Sequence, residues 1–137
     1  MNHARILVVD DEMDMRIYIS TVLKSAGHQP MVTRDGAEGI RMAREQRPDL
    51  ILLDIMMPNE GGAKMYMTLK SDPELDRIPV IMASAVSEKT FRHYLRMLGA
   101  GLASSVRGPA AYLEKPIEPD VLLDTVAKVL ASPTDSA

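Results

Sequence analysis

Five polar side chains that could share one reaction each follow a short apolar run. Asp10 and Asp11 come directly after Ile6-Leu7-Val8-Val9, and Asp54 follows Leu50-Ile51-Leu52-Leu53. Ser84 follows Val80-Ile81-Met82-Ala83, and Lys115 follows the weaker run Ala111-Tyr112-Leu113-Glu114. If these runs are parallel strands of one sheet, three carboxylates, a hydroxyl and an amine gather at the strands' carboxyl ends, where open α/β sheets bind ligands. Three carboxylates at close quarters cannot all stay ionised cheaply without a cation. Oxygen donors without sulfur or imidazole point to Mg2+ or Mn2+, which keep several waters and bridge phosphate. One carboxylate of such a set can attack phosphorus and become an aspartyl phosphate. The cation and a Lys ammonium would stabilise charge on the transferring group, and a Ser hydroxyl can donate to one of its oxygens. Singly, each residue has a duller role, since acids cap helices, serines fill turns and lysines sit on surfaces. What points to chemistry is their arrival in this order, each at the end of its own run.

The elements that must position them alternate in kind. The continuous apolar runs read as strands covered on both faces, as in a parallel sheet with helices on either side. Between them the spacing turns helical. Met15, Ile19, Val22, Leu23 and Ala26 share a helical repeat that Gly27 stops. Asp35 and Glu38 form a capping pair ahead of Ile40 and Ala43. Pro119 opens a last helix with an apolar face of Leu122, Val126, Val129 and Leu130. The pattern predicts strands near 4–10, 29–33, 50–54, 79–84 and 111–114, and helices near 13–26, 36–46, 62–70, 87–98 and 119–131. Five βα units predict an α/β domain with a doubly wound, five-stranded parallel sheet and right-handed crossovers, the flavodoxin-like arrangement. Pro30 suits an edge strand because it has no N–H to donate, which fits the strand order 2-1-3-4-5 expected by analogy with other doubly wound sheets. The expected layout is one domain over 1–131 and a polar C-terminal tail over 132–137.

Composition narrows the classes. A chain of 137 residues fits one domain, and 46% hydrophobic residues are enough for a packed core. A net charge of -3, from 16 basic and 19 acidic residues, argues against direct nucleic-acid binding or an anionic membrane as the main partner. The absence of cysteine excludes disulfides, thiolate metal sites and thiol nucleophiles. An N-terminal apolar run that ends so soon in Asp10-Asp11-Glu12 is neither a signal peptide nor a membrane span. A cytoplasmic location is the expectation. Eleven methionines with one phenylalanine and no tryptophan read mainly as core gap-fillers, with a Met-rich docking surface as the sharper alternative.

From about Arg5 to Leu130 the sequence resembles the response-regulator receiver domain of bacterial two-component systems. The motifs that carry the resemblance are Asp10-Asp11-Glu12 with Arg16, Asp35-Gly36, and the stretch from Pro48-Asp49 through Asp54-Ile55-Met56-Met57-Pro58. Pro79-Val80-Ile81-Met82-Ala83-Ser84-Ala85 and Tyr112-Leu113-Glu114-Lys115-Pro116 complete them. The resemblance implies that Asp54 accepts phosphate from a histidine kinase or phosphotransfer protein. It implies that Asp11 ligates Mg2+ directly, Asp10 through water, and Met56 through its backbone carbonyl. Lys115 would pair with the phosphoryl group, Ser84 would move toward it, and Tyr112 would turn inward as the switch aromatic. A cis bond before Pro116 is also implied.

Two departures stand out. Gly61-Gly62 follows Asn59-Glu60 where the family usually has an acid before the glycine, which should loosen the start of the third helix. The stretch from Gly101 to Ala111 is longer than usual, either as a tolerated surface loop or as one that extends the fourth helix, whose spacing Leu95, Leu98 and Leu102 continue, or forms a partner-specific contact. The favoured function is a phosphorylation-switched interaction module that binds a downstream protein target, as a monomer or a phosphorylation-dependent dimer. It would not be an enzyme beyond slow self-dephosphorylation. With no effector expected after residue 131, output would pass through protein contacts. A phosphate sink for a shared kinase, or a receiver fragment of a larger regulator or hybrid kinase, are the alternatives. A dehalogenase-type phosphatase needs a second carboxylate two residues after its nucleophile, and Met56 stands there.

Overall fold

The computed structural model describes residues 3–57, 61–98 and 108–132, apart from the side chains of 94, 95 and 98. Its elements run β1 Arg5–Val9, α1 Met13–Ser25, β2 Gln29–Thr33, α2 Gly36–Gln46 and β3 Leu50–Leu53, then α3 Gly61–Ser71, β4 Val80–Ser84, α4 Glu88–Leu98, β5 Ala111–Glu114 and α5 Pro119–Ala131. All strand pairs are parallel and the order is β2-β1-β3-β4-β5. Pro30 lies on the edge strand β2, whose one neighbour is β1. The expected Gly101–Ala111 insertion falls largely outside the described residues, as does the continuation of α4 through Leu102.

The period of two in each strand splits the core into two layers. Leu7, Val9, Ile51, Leu53, Val80 and Met82 face α2, α3 and α4, and bury Ala43, Met65, Tyr66, Leu69 and Phe91. Ile6, Val8, Leu50, Leu52, Ile81 and Ala83 face α1 and α5, and bury Ile19, Leu23, Leu122 and Val126. The central strands are therefore buried throughout, which is why they read as unbroken apolar runs. Met57, Met65 and Met82 fill the core, whereas Met13, Met56 and Met97 are exposed. The methionine excess thus serves both packing and surface.

Local signals set the helix ends. The Asp35 carboxylate accepts the Glu38 N–H at 2.7 Å and caps α2, and Glu38 in turn accepts the Thr33 hydroxyl at 2.6 Å. Gly27, at φ +90°, lets the chain leave α1, with its N–H donated to the Lys24 carbonyl. The loosening expected at Gly61-Gly62 gives way to a tighter constraint. A Cβ on Gly62 would collide with the Asp54 carbonyl oxygen and lie 2.6 Å from the Ile55 Cα. Glycine there lets α3 start directly against the backbone that carries Asp54. Gly62→Ala is expected to destabilise the fold by at least about 2 kcal/mol, because the clash is with backbone that cannot step aside. Urea unfolding checks this, and an unchanged midpoint would refute the close approach.

Candidate functional site

Asp10, Asp54 and Lys115 are each anchored by a main-chain hydrogen bond that continues the sheet past its last paired residue. The Asp10 N–H donates to the Thr33 carbonyl at 3.1 Å, and the Asp54 N–H to the Val9 carbonyl at 2.8 Å. The Lys115 N–H donates to the Ser84 carbonyl at 2.8 Å. The sheet therefore fixes where these side chains begin. Asp54 is buried, only 4% exposed, and its Oδ1 accepts the Met56 N–H at 3.0 Å in a local turn. Asp10 and Ser84 are also buried.

The side chains then converge. Lys115 Nζ lies 2.7 Å from Asp10 Oδ2, 3.3 Å from Glu12 Oε1 and 3.6 Å from Asp54 Oδ2. Carboxylate oxygens of Asp10, Glu12 and Asp54 come within 4.8 Å of one another. Burial pushes the Asp54 carboxyl up to about 6, against the pull of Lys115 and the Met56 N–H, with Asp10 and Asp11 adding repulsion. For Lys115, burial works against the charged form, but the hydrogen bond it donates to Asp10 and the charges of Asp54 and Asp10 outweigh it and hold the ammonium above its ordinary value.

The third acid of the motif is in the cluster and the second is not. Asp11, expected as the direct metal ligand, is exposed and lines a cavity of about 500 Å³ between α2 and α3, near Arg34 and Lys64. Glu12, which the sequence offered only as part of a motif, is also exposed, but its carboxylate reaches the cluster. As N-cap of α1 it makes no side-chain cap, and its carboxylate turns to the Lys115 ammonium instead. The acidic run was the available signal, but alternation alone could not say which acid's carboxylate would reach Lys115. The site suits a divalent cation with oxygen ligands, since three clustered carboxylates face one ammonium and, among the described residues, no sulfur or imidazole joins them.

Ser84 ends β4, and Tyr112 lies within the neighbouring β5, paired with Met82. The Ser84 Oγ accepts the Val86 N–H at 3.3 Å. Tyr112, half-buried, donates its hydroxyl to the Val86 carbonyl at 2.8 Å and packs against Phe91 with ring centroids 5.8 Å apart. Burial raises the Tyr112 phenol above its ordinary value. Tyr112 thus bridges β5 to the loop after β4. The Lys115–Pro116 bond is cis.

The family model for the response regulator receiver domain matches residues 6–127. The chain belongs to the receiver family. Among receivers, protein PilH of Pseudomonas aeruginosa is 34% identical over 128 residues, covering 93% of this chain and 98% of PilH. The polar-differentiation response regulator DivK of Brucella anthropi is 34% identical over 124 residues, covering 90% of this chain and 93% of DivK. The chemotaxis response regulator CheY4 of Vibrio cholerae superposes with a TM-score of 0.76 at 26% identity, over 93% of this chain and 99% of CheY4. Receivers are signalling domains, and the flavodoxin-like expectation for the sheet holds in this one. Among the described residues no helix is long and apolar enough to cross a membrane.

Proposed function

We propose that this receiver accepts a phosphoryl group on Asp54, with Mg2+, from a histidine kinase or phosphotransfer protein, and signals from the cytoplasm by changing its contacts with a downstream protein. The observation that carries the proposal is the meeting of Asp54, Asp10 and Glu12 with the Lys115 ammonium at one rim of the sheet.

In the transfer, an Asp54 carboxylate oxygen bonds to the phosphorus of a phosphohistidine as the P–N bond breaks. The electron pair of that bond stays with the imidazole nitrogen, which takes up a proton. At pH 7 Asp54 is above its titration point of about 6 and mostly ionised. Burial strips water from its oxygens and leaves them available to phosphorus. Lys115 already lies within 3.6 Å of Asp54 and can follow the charge onto the phosphoryl oxygens. Asp10, Glu12 and Asp54 would hold Mg2+, or Mn2+ by the same oxygen chemistry, with the Met56 carbonyl and Asp11 as further donors at the mouth. When bound, the ion would neutralise the carboxylates and polarise the phosphoryl oxygens. Ser84 would donate its hydroxyl to the phosphoryl group. Tyr112, tied to Val86, would carry that movement to the surface around α4 and β5.

Incubation with a small phosphodonor tests this by intact mass. One added phosphoryl group is expected with Mg2+ and none with a chelator, and equal incorporation in both would defeat the metal-dependent reading. Self-dephosphorylation is expected to be slow. Met56 and Val86, each two residues past a reacting side chain, offer no polar side-chain group to orient a water. A phosphoryl half-life of minutes or longer in purified protein is the expected result, and one of seconds would contradict it.

A further inference from the structure

We propose that Tyr18 is a positioning residue for Lys115, its hydroxyl pinning the loop from which the ammonium reaches the carboxylates. A role in transfer presupposes the phosphoacceptor reading of Asp54. Tyr18 lies on α1, and its hydroxyl donates to the carbonyl of Ile117, 99 residues further along, at 2.6 Å. Ile117 is buried in the layer between the sheet and α1 and α5, and the Tyr18 ring packs against the same layer.

The loop it holds is short, from the end of β5 at Glu114 to the start of α5 at Pro119. Pro116 contributes no N–H to anchor it. On one side of Pro116 the Lys115 N–H is held by the Ser84 carbonyl, and on the other the Ile117 carbonyl is held by Tyr18. The same helix grips the partner of the ion pair, since Arg16 Nη1 donates to the Asp10 carbonyl at 2.8 Å. Through residues two apart, α1 therefore braces both ends of the 2.7 Å contact between Lys115 and Asp10. Packing alone would be served by phenylalanine; the hydroxyl is the group that reaches Ile117. A long, flexible ammonium needs its starting backbone fixed if it is to meet a phosphoryl group in one place, and a displacement of about 1 Å can cost as much as a hundredfold in rate.

The test is a double-mutant cycle on the full chain with Tyr18→Phe and Lys115→Ala. It reads phosphoryl incorporation from a small donor with Mg2+, and thermal unfolding in chelator. Tyr18→Phe is expected to slow incorporation about fivefold, the scale of one lost hydrogen bond. Added to Lys115→Ala it is expected to slow it no further, and its stability loss should shrink in that background. Equal losses in both backgrounds would mark a merely structural tyrosine and overturn the proposal, as would an unaltered rate in Tyr18→Phe. If the native chain takes no phosphoryl group, it is the phosphoacceptor reading that fails. The unfolding cycle then decides alone, with coupling supporting the hold on Lys115 and additivity ending it.

Discussion

Asp54→Asn is expected to be more stable than the parent protein at pH 7 in metal-free buffer, although it removes the proposed phosphoacceptor. The Asp54 carboxyl titrates at about 6 in the fold against 3.8 as the ordinary value. Between those limits the folded state keeps a proton that the unfolded chain has released. Stability therefore falls as pH rises from about 4 to about 6, and stays lower above that. The shift corresponds to roughly 3 kcal/mol of cost for ionising Asp54 in place. An amide escapes the repulsion from Asp10 and leaves Lys115 with its closer partner at 2.7 Å. The variant should gain on the order of 2 kcal/mol at pH 7, little at pH 4, and lose the slope between. Added Mg2+ should stabilise the parent more than the variant and narrow the gap. Thermal unfolding across pH, with and without the ion, reads each of these. A variant less stable than the parent at pH 7 in chelator would mean that Asp54 carries no such charge strain.

Lys115→Ala is expected to act in the opposite direction. The Lys115 side chain is 11% exposed and faces Asp10 and Asp54 side chains at 2% and 4%. Removing the ammonium leaves two buried carboxylates without their cation, at a cost of about 3 kcal/mol at pH 7 in metal-free buffer. Because Lys115 is held above its ordinary value, its own contribution is fully present below that value and is lost only as pH rises into the alkaline range. The deficit of the variant should narrow as pH falls through the titration of Asp54, whose proton then does the neutralising. Phosphoryl incorporation should fall about a hundredfold, the scale seen when one preorganised charge donor is removed from a reacting centre. A variant that matches the parent in both stability and incorporation would remove Lys115 from the site.

Much of this site is legible in the chain because each chemical residue follows its own strand. Asp10, Asp54, Ser84 and Lys115 could be placed on one rim as soon as the apolar runs were taken as parallel neighbours. Pro30 pointed correctly to the edge. What strand patterning leaves open is which way a side chain turns after the strand ends. Asp11 and Glu12 are adjacent, exposed acids, and what separates them is a charge more than a hundred residues away, since the Glu12 carboxylate turns to Lys115. Gly62 looked like a weak helix start because its propensity is visible in the sequence, whereas the Asp54 carbonyl pressed against it is not. The bond between Tyr18 and Ile117 was hidden for the same reason, as it depends on how α1 packs beside the loop that follows β5.

Reductive trapping of the phosphorylated chain tests the central claim most directly. Borohydride converts an aspartyl phosphate to homoserine, and peptide sequencing by mass spectrometry then reads the position. After treatment with a phosphodonor and Mg2+, homoserine is expected at position 54 and nowhere else. Conversion at Asp10 or Asp11, or phosphate retained on Ser84 or on a histidine with position 54 unaltered, would contradict the account.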